Sequence, residues 1–381
     1  MKRIVLIAGV VGGFAASAQA QTAVTIYGVV DLGVNFTNNA RGSRAFQLQS
    51  GDAQGSRLGL KGKEDLGNGL SAVFQLENGF SADTGALGQG GRLFGRQAFV
   101  GLSSTTLGTL TVGRQYDSVV DFLGPMTANG NWGGYLLSHP FDNDNTDNSF
   151  RVNNAVKYAS ADYSGFSFGG LAGAGETAGS KGQNLTYSLG ARYINGPWAL
   201  AAAYMVNRQP GATAFGSIAT DDANFIATRQ TIAGAGINYT AGNATFGFVY
   251  SNTNLSNPLS SVYVGDIATA GGSVSKLIFN NYELNAKYQL TPAFALGAMY
   301  TFTQGKLTTQ DASFRPRWHT LGLMTDYDFS KRTDVYAQAV YQQVSGVSSG
   351  SVLDYAYIPD SAGVSSAARQ GVLRVGLRHK F

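Results

Sequence analysis

Several polar side chains that could act on a solute recur at every second position along apolar stretches of the chain. In GSRLGLKG, Arg57 and Lys61 share one parity and two leucines occupy the other. In SFRVNNAVKY, Arg151 and Lys157 again share a polar side. Alternate side chains point to one face of a β-strand, and a row of fixed cations there creates a field that orders water and polar solutes. The pattern predicts a charged, wetted surface.

Covalent and metal chemistry have weaker support. The chain has no cysteine, which excludes disulfides and thiolate metal sites. Its three histidines are scattered, and none has the neighbouring Ser and Asp that a catalytic triad needs. FDNDNTDN, at residues 141–148, lacks the central Gly and distal Glu of an EF-hand, so solvated loop acids are favoured over a calcium site there. We predict no enzyme, no cofactor and no metal centre.

The composition indicates an exported chain with few charges. Charged residues make up only 13% of the 381 residues, about half the usual share for a soluble protein. Residues 1–20 have a basic start, an apolar centre and an Ala-x-Ala end, which is typical of a cleaved secretory signal. Removing Lys2 and Arg3 with it leaves 25 basic against 23 acidic residues, so no nucleic-acid partner is predicted. Residues 21–381 are expected to form a single domain.

The remaining sequence alternates with a period of two, as in TIYGVVDLGVNF, GLSAVFQLE and NYELNAKYQL. This alternation predicts strands with one apolar and one polar face. Seven short turns alternate with eight longer polar loops, near residues 37–54, 78–91, 116–149, 176–183, 209–228, 254–275, 306–314 and 346–367. Sixteen antiparallel strands with turns on one side and loops on the other are the layout of an outer-membrane barrel.

The positions of the aromatic residues indicate which way the apolar faces of the strands point. Tyr158, Trp198, Tyr239 and Tyr288 lie near strand ends on apolar faces, which matches the aromatic girdles at membrane interfaces. Lipid-exposed backbone must be fully paired, so such a sheet has to close. The fold class predicted is therefore all-β, a 16-stranded antiparallel transmembrane β-barrel around a water-filled channel. A soluble β-sandwich is the alternative.

The last strand, GVLRVGLRHKF, follows the same rule. Leu373, Val375, Leu377 and Phe381 share the apolar parity and are predicted to face lipid. Its basic residues take the other face and are predicted to meet water. We expect this strand to pair with the first one, near residues 24–35, because pairing removes both edges.

Four motifs are specific enough to identify a family: YGVVDLGV, GSRLGLKGKEDLGNGLSAVFQLENGF, GGRLFGRQAFVGL and LGTLTVGRQYD. With the terminal Phe, they resemble the general porins of Gram-negative outer membranes, above all the branch found in β-proteobacteria and neisseriae. The resemblance implies a homotrimer of sixteen-stranded barrels that passes small hydrophilic solutes and inorganic ions by diffusion. It also implies that Phe381 belongs to the signal read by the barrel-assembly machinery.

The resemblance further implies a constriction formed by a third loop that folds inward, here residues 116–149. A basic cluster should lie on the opposite wall, and Arg57, Arg96 and Arg151 match it. Lys61 and Lys157 should add lumen charge. Periodicity supports Arg57 and Arg151 but is ambiguous for Arg96, whose parity is shared by Ala98 and Val100.

The acidic side and the subunit interface are less sharply defined. Glu77 on the polar face of its strand, with Asp117 and Asp121 at the start of the third loop, are the predicted constriction acids. The loop carries GPMTANGNWGG where enteric relatives carry PEFGG, so its tip acids are not assigned. Arg114 shares parity with apolar residues and should point outward, and the resemblance pairs it with Asp83 of a neighbouring subunit. A lumen-facing Arg114 at a bulge is the alternative.

Three arginines against softer acids predict that the channel prefers anions. The resemblance implies a general porin of the outer membrane, exported through the periplasm and surrounded by membrane lipid and lipopolysaccharide. A channel specific for a sugar or an organic acid is the first alternative. An outer-membrane barrel enzyme is the second.

Overall fold

The computed structural model describes residues 23–180, 182–346 and 348–381. The predicted signal at residues 1–20 lies outside them. Twenty-one strands are found within these ranges: β1 Ala23–Ala40, β2 Ser43–Ser50, β3 Arg57–Gly67, β4 Leu70–Gly79, β5 Gln97–Ser104, β6 Gly108–Gln115, β7 Val152–Ala159, β8 Phe166–Gly173, β9 Leu185–Asn195, β10 Trp198–Arg208, β11 Phe225–Ile226, β12 Arg229–Ala241, β13 Ala244–Ser256, β14 Ser260–Ser261, β15 Gly265–Asp266, β16 Lys276–Thr291, β17 Phe294–Thr308, β18 Ser313–Phe314, β19 Arg317–Asp328, β20 Thr333–Ser345 and β21 Arg369–Lys380.

Helical structure is limited to short turns within the loops. They are Val119–Leu123, Gly124–Met126, Asn129–Gly133, Tyr135–Leu137, Pro140–Asp142 and Val352–Asp354. No helix among the described residues is long and apolar enough to cross a membrane.

The long strands close into a single antiparallel barrel. Each pairs with the next along the chain, and β21 returns to pair with β1 from Val29↔Lys380 to Thr37↔Val372. β2 and β3 lie end to end against β1, so that they serve as one wall strand interrupted at residues 51–56. Counted in this way, the described part of the chain has the predicted sixteen wall strands, and the fold class is confirmed.

Side chains alternate between the two sides of this wall as the sequence predicted. On β21, Leu373, Val375 and Leu377 expose more than half of their surface on the outer side. The intervening Arg374 lies on the inner side as predicted, but it is buried, 1% exposed, and the prediction that it meets water is wrong. An exposed apolar belt outside and buried polar residues inside reverse the arrangement of a soluble protein, which excludes the β-sandwich alternative.

The predicted number of seven short turns is found in the described part of the chain, at residues 68–69, 105–107, 160–165, 196–197, 242–243, 292–293 and 329–332. They define what we call the turn side of the barrel. The first loop was predicted too long. Instead of an irregular stretch at residues 37–54, β1 continues to Ala40 and β2 begins at Ser43. Phe36 and Phe46 pair across this hairpin on its outer face, with ring centroids 5.0 Å apart. The alternation of RAFQLQS was the signal for this strand.

On the opposite, loop side, the connecting loops fold over the mouth of the barrel. β11, β14 and β15 form a small separate sheet there. Phe141 of the third loop stacks on Tyr357, at 6.1 Å between ring centroids, and meets Trp318 of the wall edge-on at 5.9 Å. This apolar cluster fills one sector of the mouth, so the open path is narrower than the wall alone would make it.

Candidate functional site

Residues 116–149 lie inside the barrel and follow its inner wall. Trp132 and Leu137 pack with wall residues of β17, β19, β20 and β21, whereas Phe122 and Leu123 pack with residues of β10, β12 and β13. Glycines on the wall make room: a Cβ at Gly297 would lie 2.4 Å from the Trp132 ring. Apolar contacts at two sectors therefore fix the course of this loop.

A buried ionic cluster fixes the same loop to β16. Glu283 Oε1 accepts from the backbone N–H of Ala128 at 2.7 Å. His139 Nε2 donates to Glu283 Oε2 at 3.0 Å, and its Nδ1 donates to Asp144 Oδ2 at 2.7 Å. Burial alone would lower the pKa of His139, but the two carboxylates outweigh burial and raise the pKa to about 10. His139 is therefore a charged anchor, a role that its isolated position in the sequence did not reveal.

The FDNDNTDN segment is part of this folded loop. Asp142 accepts from the hydroxyl of Ser149 at 2.6 Å and Asn145 donates to Asp117 at 2.7 Å. Thr146 donates to Asp144 at 3.0 Å. These side chains are buried and engaged with protein partners, so the motif holds the loop together.

The three predicted wall arginines lie close together around Tyr116. The guanidinium carbons of Arg96 and Arg151 each lie 5.8 Å from the centre of the Tyr116 ring. Arg57 and Arg96 line the same cavity as Tyr116. Arg151 is buried, 3% exposed, and is not among the residues that line this cavity. Arg96, whose direction the periodicity left open, thus points to the lumen.

Glu77 lies on the basic side of the lumen, so it is not an acid that faces the arginines across the pore. Its Oε1 accepts from Arg96 Nε at 2.8 Å and from the Tyr116 hydroxyl at 2.9 Å. Tyr27 donates to its Oε2 at 2.7 Å. The alternation of side chains on β4 correctly predicted that Glu77 faces the lumen. It did not predict the partner of Glu77, because Arg96 lies at the end of the loop before β5.

The other two predicted acids also have local partners. Asp117 is fully buried and accepts from the backbone N–H of Val119 at 2.7 Å, so it caps the first turn of the loop. Asp121 pairs with Lys157 at 2.5 Å. Lys157 faces the lumen as predicted, but its charge is neutralised there. Lys61 is exposed, with its Nζ 5.2 Å from the centre of the Tyr27 ring.

Arg114 has its partners within its own chain. Its Nη2 donates to Asp222 Oδ2 at 2.8 Å, and its Nε donates to the carbonyl of Gly95 at 2.7 Å. Arg114 is 8% exposed, whereas Asp83 is exposed elsewhere on the surface. The predicted need for an acidic partner is met within the chain by Asp222, 108 residues away in a loop. The pairing of Arg114 with Asp83 of a neighbouring subunit stays a prediction.

A cavity of about 420 Å³ lies between the third loop and the basic wall. Arg378 and Lys380, from the predicted water-facing side of the last strand, contribute to its lining, as does Lys287, which the sequence did not single out. Asp147 and Asp326 are its acidic lining residues. Asp326 lies 3.4 Å from Arg378. Burial, followed by the neighbouring Asp142 carboxylate, holds the pKa of Asp147 well above its usual range.

A closed barrel with an apolar outer belt and a polar, cation-rich lumen defines a channel protein of the outer membrane. The chain belongs to the Gram-negative porin family, whose model matches residues 6–346. It is 28% identical to an outer membrane porin protein of Bordetella pertussis over all of both chains, and 29% identical to outer membrane porin protein 32 of Delftia acidovorans over 99% of each.

Solved structures show the same fold. The anion-selective porin from Comamonas acidovorans is 22% identical, with a TM-score of 0.72 over 94% of this chain and 100% of that one. The OmpF of Salmonella typhi, in complex with daunomycin, is 18% identical, with a TM-score of 0.62 over 94% and 97%. Together with the family match and the two sequence relatives, this shared fold makes the protein an outer-membrane porin.

Proposed function

We propose that this porin passes small hydrophilic solutes and inorganic ions by diffusion, prefers anions, and is a channel and not an enzyme. The charge balance of the cavity between the third loop and the wall carries the proposal. Five basic residues and two acidic residues line this cavity. A narrow, low-dielectric passage strengthens the effect of such an excess on passing ions.

The basic and acidic residues of this cavity differ in whether they have a partner of opposite charge. Within residues 23–180, 182–346 and 348–381, Arg57, Lys287 and Lys380 have no salt bridge, whereas Arg96 and Arg378 do. Of the two acids, Asp326 shares Arg378, and Asp147 is in a setting that opposes its ionisation. The uncompensated charge is therefore positive. The similar fold of the anion-selective porin from Comamonas acidovorans supports the same sign.

The proposal includes the assembly and the location of the domain. We place residues 21–381 in the membrane as one barrel domain after removal of residues 1–20, in a homotrimer surrounded by membrane lipid and lipopolysaccharide. Insertion would use the barrel-assembly machinery. The trimer form of OmpT from Vibrio cholerae, which is 15% identical with a TM-score of 0.65, supports a trimer. Asp83 stays a candidate for the subunit interface.

Planar-bilayer recording tests the ion preference. With a KCl gradient across the bilayer, the wild-type protein should give a reversal potential of the sign that marks chloride preference. The double variant R57Q/K287Q removes two uncompensated lining cations and should shift the potential towards potassium. The matched control K331Q/R332Q removes two exposed charges at the turn between β19 and β20, and should leave the sign unchanged.

A wild-type channel that favours potassium would overturn the anion preference while leaving the porin function intact. Three equal conductance steps would support the trimer. Saturable block of the current by a single sugar or organic acid would favour the solute-specific alternative.

A further inference from the structure

The inner wall of the barrel carries two apolar side chains that the diffusion of hydrophilic solutes does not require. They are Val73 on β4 and Phe99 on β5, and we call them the apolar patch. Gln75 fixes their direction: it pairs with Phe99, lies two residues after Val73, and donates to the Tyr27 hydroxyl inside the lumen. Both side chains are partly exposed. Because the inner face of such a barrel is ordinarily polar, this patch indicates a surface that meets an apolar group.

The apolar patch belongs to a recess of about 480 Å³ in the lumen. The recess extends across the wall from Thr25 on β1 to Lys157 on β7. At its edge, Lys157 donates to the backbone carbonyl of Tyr116 at 2.8 Å. The recess therefore adjoins the basic cluster around Tyr116 and lies on its turn side, where a solute that has passed the cluster would meet it.

The recess has an excess of positive charge. Lys61 and Lys63 line it from β3, and Lys63 is directly opposite Val73 in the strand register. Both lysines are exposed, and neither has a salt bridge within the described ranges. Lys157 is neutralised by Asp121. Among the described residues, no acidic side chain lines the recess. Two uncompensated cations thus lie beside the apolar patch.

The surroundings of Phe99 leave its ring accessible from the lumen. Its register partner on β6 is Gly113, and the next inward position on its own strand is Gly101. Neither residue has a side chain that could cover the ring. A second ring can therefore lie against Phe99 in an offset or edge-on arrangement, which is the geometry that aromatic pairs prefer.

We propose that this recess binds monocarboxylates that carry an aromatic or alicyclic ring, with the ring against the apolar patch and the carboxylate beside Lys61 and Lys63. Adjacent strands are about 4.8 Å apart, so Lys61 and Phe99, on strands separated by β4, are about 10 Å apart along the wall. The flexible lysine side chain can shorten this distance to that between the ring and the carboxylate of one small molecule. This inference rests on the proposed anion-preferring channel, for which it names a class of solute.

Planar-bilayer recording of the purified full-length protein tests the site, with benzoate as the probe. Benzoate added on the turn side should block the single-channel current in KCl saturably, whereas acetate, which lacks the ring, should not. In F99Q the benzoate concentration for half block should rise about five-fold, because the ring contact is lost. In K61Q/K63Q it should also rise about five-fold, because two cations are lost.

Two matched controls make the same changes outside the recess, at the turn between β19 and β20. F329Q removes an exposed aromatic ring, and K331Q/R332Q removes two exposed charges. Both should be blocked by benzoate like wild type. Cyclohexanecarboxylate should block wild type nearly as well as benzoate, because the apolar patch has no side-chain hydrogen-bonding group that would distinguish the two rings. Heat-modified gel migration checks that each variant is folded.

Three results would overturn the proposal: equal block of wild type and F99Q by benzoate, equal block of wild type by acetate and benzoate, or block by benzoate without block by cyclohexanecarboxylate. The last result would favour a channel specific for one acid. A wild-type channel that prefers chloride but is not blocked by benzoate would exclude this site alone. A reversal potential that favours potassium would instead overturn the anion preference.

Discussion

At the residue scale, Arg374 is the most constrained charge in the barrel. Its Nη1 donates to Asp52 at 3.0 Å and to Asn35 at 2.8 Å, and its Nη2 donates to Asp31 at 3.1 Å. The side chains of Arg374, Asp31 and Asp52 have no solvent exposure. The cluster joins the last strand to the first and to residues 51–56, so it lies at the seam where the barrel closes.

Replacing Arg374 with Met should lower the free energy of unfolding by about 3–5 kcal/mol, because two buried carboxylates lose their cation. Chemical denaturation of the protein in lipid vesicles would measure this loss. Arg369→Met, an exposed outward position five residues earlier on the same strand, is the matched control and should change stability by less than about 0.5 kcal/mol. Similar stability of the two variants would contradict the role assigned to Arg374.

The same residue shows what the sequence could and could not predict. Alternation on the last strand placed Arg374 on the inner face, because period two is a local property. Its partners Asp31 and Asp52 lie more than 300 residues away, and no local pattern specifies such a pair. Asp222 with Arg114 and Glu283 with His139 were missed for the same reason. A single sequence predicts faces well and long-range side-chain partners poorly.

At the element scale, the third loop depends on a few buried contacts between its tip and the wall. His139 and the backbone N–H of Ala128 both bind Glu283, while Trp132 packs over Gly297. The sequence predicted an inward fold for residues 116–149 only through the family resemblance. The loop has no period, and its short helical turns are held by the wall.

Replacing His139 with Ala should loosen this loop and increase the current noise and brief closures of single channels, because Asp144 and Glu283 lose their shared cation. Planar-bilayer recording at constant voltage measures the effect. His379→Ala, an exposed histidine on β21, should leave the trace as quiet as wild type. Equal noise in the two variants would show that His139 does not hold the loop.

The anchor also predicts a pH dependence. The pKa of His139 in the folded protein, about 10, is above the value of about 6.5 in an unfolded chain. A raised histidine pKa stabilises the anchored state fully below about pH 6.5, and this stabilisation is lost as the pH rises through 10. Wild-type noise should therefore stay low from pH 5 to pH 8 and increase near pH 10. In H139A this increase should be absent.

At the scale of the whole molecule, the barrel is stable only if its first and last strands stay paired. Phe381 completes that seam: its N–H donates to the carbonyl of Gly28 at 3.1 Å, and its carbonyl accepts from Gly28 at 3.0 Å. The ring of Phe381 lies over Gly28, where an added Cβ would be 2.3 Å from the ring. Gly28 thus leaves room for an aromatic ring that covers the backbone of the first strand.

Phe381→Ala keeps both backbone hydrogen bonds but removes the ring, so it should lower the stability of the barrel by about 1–2 kcal/mol. Deleting Phe381 removes the two hydrogen bonds as well, each worth about 0.5–1.5 kcal/mol, and should cost more. Denaturation in vesicles gives the stability, and heat-modified migration gives the folded fraction. Phe329→Ala removes an aromatic residue that is 64% exposed in a turn and is the control. If the loss in Phe381→Ala were no larger than in Phe329→Ala, the ring would have no part in closure. If the loss of stability increased from Phe329→Ala to Phe381→Ala and further to the deletion, the pairing of the first and last strands would be shown to stabilise the closed barrel.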